Sequence, residues 1–184
     1  MTNLPKDIER VIVDQSAIAE RVSALAQKID EEYADVESLY IVGILKGAFI
    51  FMSDLCRKLT TPHTVDFMAL SSYGMRGANS GAVRIIMDLR ENIANKHVLV
   101  VEDILDTGAT LNYLTRTLGS RRPASLRTCV LLDKGRSEVE TQVSYLGFQI
   151  PDVWVVGYGL DFAEQYRTLP YIAELNQAIR KKSA

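Results

Sequence analysis

The stretch Val98 to Thr110, V-L-V-V-E-D-I-L-D-T-G-A-T, limits the folds open to this chain. Val98 to Val101 are apolar and mostly β-branched, a run suited to a strand buried on both faces of a parallel sheet. Glu102 and Asp103 follow at once. Side chains alternate along a strand, so these acids start on opposite faces, and a bend at the strand's carboxyl end is expected to let both reach a common ligand. That end is where open α/β sheets bind ligands. Asp106-Thr107-Gly108-Ala109-Thr110 is then a small-residue turn opening into a helix, in which Leu111, Leu114 and Leu118 keep helical spacing. Its backbone N–H groups, the helix dipole and two threonine hydroxyls form a site for a phosphate monoester. Acids near hydroxyls, followed by a phosphate cradle, describe a holder for a ribose 5-phosphate. The plain alternative is a buried strand ending in solvated acids, with Asp106 as a helix N-cap; it accounts for any one piece but not for the combination.

The chain of 184 residues is long enough for one domain with its own core. Its 21 basic and 23 acidic side chains, net charge −2, give no general attraction to nucleic acid or to an anionic membrane surface. The start M-T-N-L-P-K-D-I-E-R carries charges where a signal peptide needs an apolar run, so a cytoplasmic protein is expected. Cys56 and Cys129 lie in apolar segments without metal-ligand spacing and read as buried thiols in a reducing compartment. His63 and His97 are isolated and read as surface residues.

Ile8 to Val13 suits a short strand, and Ser16 an N-cap for a helix with its apolar stripe at Ile18, Val22, Leu25, Ile29 and Tyr33. Leu39 to Leu45 reads as a second strand, separated by Lys46-Gly47 from an apolar helix, Phe49 to Leu59. Taken alone, Lys46 is a snorkelling cation and Gly47 a turn residue. Val65 to Leu70 and Val83 to Leu89 suit strands, and the glycine-rich link Ser71 to Gly81 is long for a hairpin, which favours a functional lid. Ser125 to Leu132 is a further strand ending in Asp133-Lys134-Gly135, where Lys134 alone reads as a strand-end charge. Phe148 to Asp161 gives a turn, a strand and an acid around Trp154, the single tryptophan, which alone reads as core. The tail N-Q-A-I-R-K-K-S-A suits a short frayed helix.

The string Glu102 to Thr110 resembles the phosphoribosyl pyrophosphate (PRPP) motif of type I phosphoribosyltransferases, and its E-D-x-x-D-T-G form is similar to that of the hypoxanthine-guanine phosphoribosyltransferases. Ala109 falls where that family varies. The L-K-G string at Leu45 to Gly47 matches the family's pyrophosphate loop, which implies a non-proline cis bond between Leu45 and Lys46. Ser72 and Tyr73 resemble the start of its catalytic lid, and Lys134 the lysine that donates to the purine 6-oxo group. The string Pro151 to Arg167 is similar to the base-binding hood: Trp154 to the aromatic that stacks on the purine, Val155 to the residue whose backbone meets the base edge, Asp161 to the acid near Mg²⁺ and the base, and Arg167 to the residue that reaches pyrophosphate.

The resemblance covers most of Ile8 to Ile172. It implies an α/β type I phosphoribosyltransferase fold, a central mainly parallel sheet flanked by helices, as a single domain 1–184 with a small hood from about 1–15 and 145–184. It further implies transfer of a 5-phosphoribosyl group from PRPP to hypoxanthine or guanine, Mg²⁺ held near Glu102, Asp103 and Asp161, and a homodimer or homotetramer. Glu102 and Asp103 would hold the ribose hydroxyls, Thr107, Gly108, Ala109 and Thr110 the 5-phosphate, and Lys46, Gly47 and Arg167 the pyrophosphate. Asp106, between the ribose acids and the phosphate turn, would take the purine proton. The rivals are a PRPP- or nucleotide-sensing regulator on the same fold, which need not keep the lid, Lys134 or Trp154, and an adenine or orotate phosphoribosyltransferase, against which stand the L-K-G loop and the hood string.

Overall fold

The computed structural model describes residues 5–73, 82–136 and 143–182. Its large sheet has six strands: β2 (Leu39–Leu45), β3 (His63–Tyr73), β4 (Ala82–Met87), β5 (His97–Leu105), β6 (Ser125–Asp133) and β7 (Tyr145–Gln149), in the order β4-β3-β2-β5-β6-β7. Every pairing is parallel except β3 with β4. Helices α1 (Gln15–Glu32) and α2 (Phe49–Cys56) cover one face and α3 (Ala109–Gly119) the other. Strand alternation divides β5 between them: Leu99 and Val101 pack with α1 and α2, whereas Val98 and Val100 pack with Leu114 and Leu118 of α3. All four are fully buried.

A second sheet of three antiparallel strands joins β1 (Ile8–Val13) to β9 (Ile172–Leu175) and β8 (Val155–Val156). The two ends of the chain thus meet, as the hood requires, but Tyr145–Gln149 belongs to the large sheet and the small one resumes only at Val155. The tail forms α4 (Gln177–Lys182).

Several local expectations shift. The N-cap of α1 is Asp14, whose Oδ1 accepts from Ala17 N at 2.9 Å, while Ser16, the expected cap, donates its hydroxyl to the same oxygen at 2.6 Å. β3 extends through Ser71, Ser72 and Tyr73, so the first three lid residues pair with β4; residues 74–81 of the expected lid lie outside the described residues. His63 and His97 open strands rather than precede them, and both are half-buried. His97 Nδ1 lies 2.9 Å from Ser125 Oγ, and His63 Nδ1 lies 2.8 Å from the Thr61 carbonyl. Cys129 is buried but Cys56 only partly so, and both thiols are free. The bond between Leu45 and Lys46 is cis. Among the described residues no helix is long and apolar enough to cross a membrane.

α2 ends before Leu59 because Asp30 of α1 gathers the chain beyond it. Its carboxylate accepts from the backbone N–H groups and hydroxyls of Thr60 and Thr61 at 2.7 to 3.1 Å. Burial raises this carboxyl's pKa, but those donors together outweigh it and the net direction is down. The stabilisation is therefore complete above the unfolded value and is lost as pH falls through the lower folded one. Asp30→Ala should cost about 1–2 kcal/mol in urea unfolding at pH 7. An unchanged midpoint would show that the threonines need no anchor.

Candidate active site

Because β2, β5 and β6 run parallel, their carboxyl ends lie on one edge of the sheet and place Lys46-Gly47, Glu102 to Thr110 and Lys134 together. The hood supplies the opposing wall, residues 154 to 167.

β5 runs through Leu105, so Glu102 and Asp103 lie within the strand, and the expected bend that would bring both to one point is absent. They serve opposite faces instead. Glu102 lines a cavity of about 190 Å³ with Ile104, Leu105, Asp106, Thr107, Gly108, Thr110 and Leu111. Asp103 lies against Gly47, where an added Cβ would come within 1.5 Å of its Oδ2. Ala109 is not in the cavity lining; its N–H points to Thr107 Oγ1 at 3.4 Å. The N-cap of α3 is Gly108, left-handed at φ 88°, with no side-chain cap bond. Asp106 is therefore not the N-cap of α3, and the plain alternative for it falls away.

Glu102 Oε2 is buried without a hydrogen-bond partner among the described residues. Burial, and next the charge of Asp103, push its carboxyl well above the usual range. Burial also raises Asp103 to about 6, with Asp161 adding to the shift and the Ile104 N–H, its own N–H and Arg167 opposing it. A buried acceptor without a partner, on a residue of the cavity lining, is suited to a hydroxyl donor or a cation. The strain has a pH signature. Above the usual 4.5 the unfolded glutamate loses its proton while the folded one keeps it, so stability declines as pH rises through that interval. Urea unfolding at pH 5 and pH 8 should show this decline, and Glu102→Gln should flatten it. An equal slope in the variant would mean that Glu102 ionises freely.

At the other side of the cavity Lys134, its side chain 8% exposed, holds Nζ 3.8 Å from Asp106 Oδ2 and 3.5 Å from Asp152 Oδ1. Arg136 bridges the same acids: Nε donates to Asp106 Oδ1 at 2.6 Å, Nη2 contacts that oxygen, and Nη1 donates to Asp152 Oδ2 at 2.8 Å. Arg136 and Asp152 were not expected from the sequence. The only hint in the chain is that they stand two residues from Lys134 and Trp154.

Trp154 is 42% exposed, so it is not core, and its ring meets Phe162 edge-on at 6.0 Å. Val155 is buried in β8, paired with Glu174. Arg167 donates from Nη1 to the Gly159 carbonyl at 2.8 Å, and its Nη2 lies 2.9 Å from Asp161 Oδ1 and 3.2 Å from Glu164 Oε2. The same Glu164 oxygen accepts from Lys46 Nζ at 2.9 Å, so a residue absent from the sequence expectation joins the two cations. The Lys46 bond and then the Arg167 bond hold the Glu164 carboxyl below its usual range. Gly159 permits the approach of hood to loop: it sits at φ 107°, and an added Cβ would come 2.0 Å from the Gly47 carbonyl oxygen. Among the described residues no three acids, histidines or cysteines form a group able to hold a metal ion, so Glu102, Asp103 and Asp161 are not a closed metal cage.

The family model described as phosphoribosyl transferase domain matches residues 11–163. A hypoxanthine-guanine phosphoribosyltransferase of Dictyostelium discoideum is 51% identical over 176 residues, covering 94% of this chain and 98% of the relative. A hypoxanthine phosphoribosyltransferase of Salmonella typhimurium is 46% identical over 92% of this chain and 97% of its own. A solved structure of Trypanosoma cruzi hypoxanthine phosphoribosyl transferase superposes with a TM-score of 0.92 at 38% identity, covering 99% of this chain and 100% of that one. The chain belongs to the hypoxanthine-guanine phosphoribosyltransferase family, with its type I fold, and is a pentosyl-transferring enzyme of purine salvage.

Proposed function

We infer that the chain transfers the 5-phosphoribosyl group of PRPP to a ring nitrogen of hypoxanthine or guanine, forming IMP or GMP and releasing pyrophosphate. The observation that carries this reading is the unpartnered Glu102 carboxylate lining the turn cavity. On one side of that cavity is an acid next to a buried lysine, Asp106 with Lys134, and two cations stand nearby, Lys46 from the loop after β2 and Arg167 from the hood.

The 5-phosphate takes the N–H groups and hydroxyls of Thr107 to Thr110 at the start of α3. Glu102, in the lining of the turn cavity, accepts from a ribose hydroxyl, whereas Asp103 on the other face of β5 serves the Gly47 side. Lys46, the Gly47 backbone and Arg167 bind pyrophosphate. Lys134 donates to the 6-oxo group, Trp154 offers its exposed ring for stacking, and Val155 its backbone to the base edge. Asp106 accepts the ring proton as the new bond forms, which requires that Arg136 first release it. Ser72 and Tyr73 lead into a lid that excludes water from the oxocarbenium-like transition state. Asp103 and Asp161, whose charges reach each other, would hold a Mg²⁺, which when bound would supply positive charge toward the pyrophosphate leaving group. The enzyme works as a cytoplasmic homodimer or homotetramer.

The test is pyrophosphate release from PRPP and Mg²⁺ with hypoxanthine, guanine, xanthine, adenine and orotate in turn. Turnover with hypoxanthine or guanine is expected; PRPP binding without turnover of any base would overturn the reading. The regulator alternative finds no support in relatives matched along nearly their whole length.

A further inference from the structure

We propose that Glu164 is an internal anion that occupies the pyrophosphate subsite of the free enzyme and competes with pyrophosphate for Lys46 and Arg167. This rests on the assignment of those two cations to pyrophosphate given above. One carboxylate oxygen, Glu164 Oε2, accepts from Lys46 Nζ at 2.9 Å and from Arg167 Nη2 at 3.2 Å. Lys46 and Glu164 lie 118 positions apart, one in the loop after β2 and the other in the hood. A shared oxygen between two cations is the arrangement that a phosphate oxygen makes with them. The carboxylate therefore stands where a leaving-group oxygen is to be held.

The fold places the carboxylate there. Ala163, Glu164 and Tyr166 have φ of 51°, 64° and 72°, left-handed values that L residues seldom adopt. Such a turn persists when its surroundings over-determine it. Here Asp161 Oδ2 accepts from Glu164 N at 2.8 Å, Phe162 and Gln165 exchange backbone bonds at 3.2 and 3.0 Å, and the Tyr166 hydroxyl donates to Asp7 at 2.7 Å. The turn is fixed on both sides of Glu164, yet the side chain and that of Lys46 are each 65% exposed. A fixed backbone with an open side chain suits a counter-ion that leaves when a stronger anion arrives and returns when it departs. The Lys46 pair is exposed on both sides and weak, and the Glu164 side of the Arg167 pair is open to solvent, so the competitor lowers pyrophosphate affinity without abolishing it.

The experiment is calorimetric titration of magnesium pyrophosphate into the wild-type enzyme, Glu164→Gln, Glu164→Asp and Lys46→Met. Removing the competing charge should tighten Kd about 3- to 30-fold in Glu164→Gln. Glu164→Asp, which keeps the charge on a shorter stem, should fall between. The gap between wild type and Glu164→Gln should narrow at high salt, where the ion pairs are screened. The salt series is a second readout: the wild-type enzyme should lose affinity less steeply with salt than Glu164→Gln does. An unchanged or weaker Kd in Glu164→Gln, with binding reduced in Lys46→Met, would overturn the competition and leave the subsite standing. No difference between wild type and Lys46→Met would overturn the subsite itself, and the proposal with it.

Discussion

Adenine should be used with a kcat/KM up to about 10⁴–10⁵ below that of hypoxanthine. The reason is the chemistry of one ammonium. Lys134 leaves the carboxyl end of β6 with its N–H on the Leu105 carbonyl at 3.2 Å, and its side chain is 8% exposed. An ammonium has only donors, so it can meet a 6-oxo group but not a 6-amino group. Rotation relieves nothing, because the neighbours of Nζ are the two carboxylates of Asp106 and Asp152 and the solvent is nearly shut out. With adenine, donor faces donor and the nearly buried ammonium gains no acceptor from the base, the kind of mismatch that gives an unedited site large discrimination. Initial-rate assays with the two bases at saturating PRPP read the ratio directly. Comparable use of adenine and hypoxanthine would remove Lys134 from base recognition. Lys134→Met should lose most hypoxanthine turnover without gaining efficient use of adenine, since removing a donor does not supply the acceptor that a 6-amino group needs.

Asp106→Asn should lower kcat by about 10² to 10⁴ while PRPP affinity and Tm change little. The incoming purine nitrogen becomes more acidic as its bond to the anomeric carbon forms, and the carboxylate beside Lys134 is placed to accept that proton. Asparagine keeps the shape but cannot take the proton. The fold leaves no second reason for a loss, because α3 is capped by Gly108 and takes nothing from Asp106. The ion pair with Arg136 is lost in the variant, but those side chains are 43% and 46% exposed, so the change in stability stays below about 1 kcal/mol. Single-turnover rates, PRPP titration and thermal melting separate the cases. Near-normal turnover would reduce Asp106 to the counter-ion of Arg136, and a large fall in Tm would make it structural.

The segments legible in the sequence are those whose own residues carry a full period. Val98 to Val101 reads as a doubly buried strand because all four positions are apolar, and Leu99 with Val101 and Val98 with Val100 do pack on opposite faces. The stripe Ile18, Val22, Leu25, Ile29 gives α1 because it runs through about three turns by itself, and all four are buried. Asp106 and the threonines after β5 are legible as a turn opening a helix for the same reason, since they are neighbours in the chain.

What the sequence does not carry depends on segments far apart. β8 is two residues long and β9 four, too short to show a period, and their sheet exists only because Ile8 meets Leu175 across nearly the whole chain. The strand that carries Glu102 and Asp103 continues to Leu105 because β6 pairs with it that far, which keeps the two acids on opposite faces where the sequence suggested a bend. Glu164, Arg136 and Asp152 look in sequence like ordinary surface charges. Only when β2, β5 and β6 bring their carboxyl ends to one edge and the hood folds over it do these become partners of Lys46, Arg167 and Asp106. Local pattern thus determined which residues form the central strands and the turn that opens α3. The pairing of charges was decided by the tertiary structure, because an ion pair depends on distance in space and leaves no spacing in the chain.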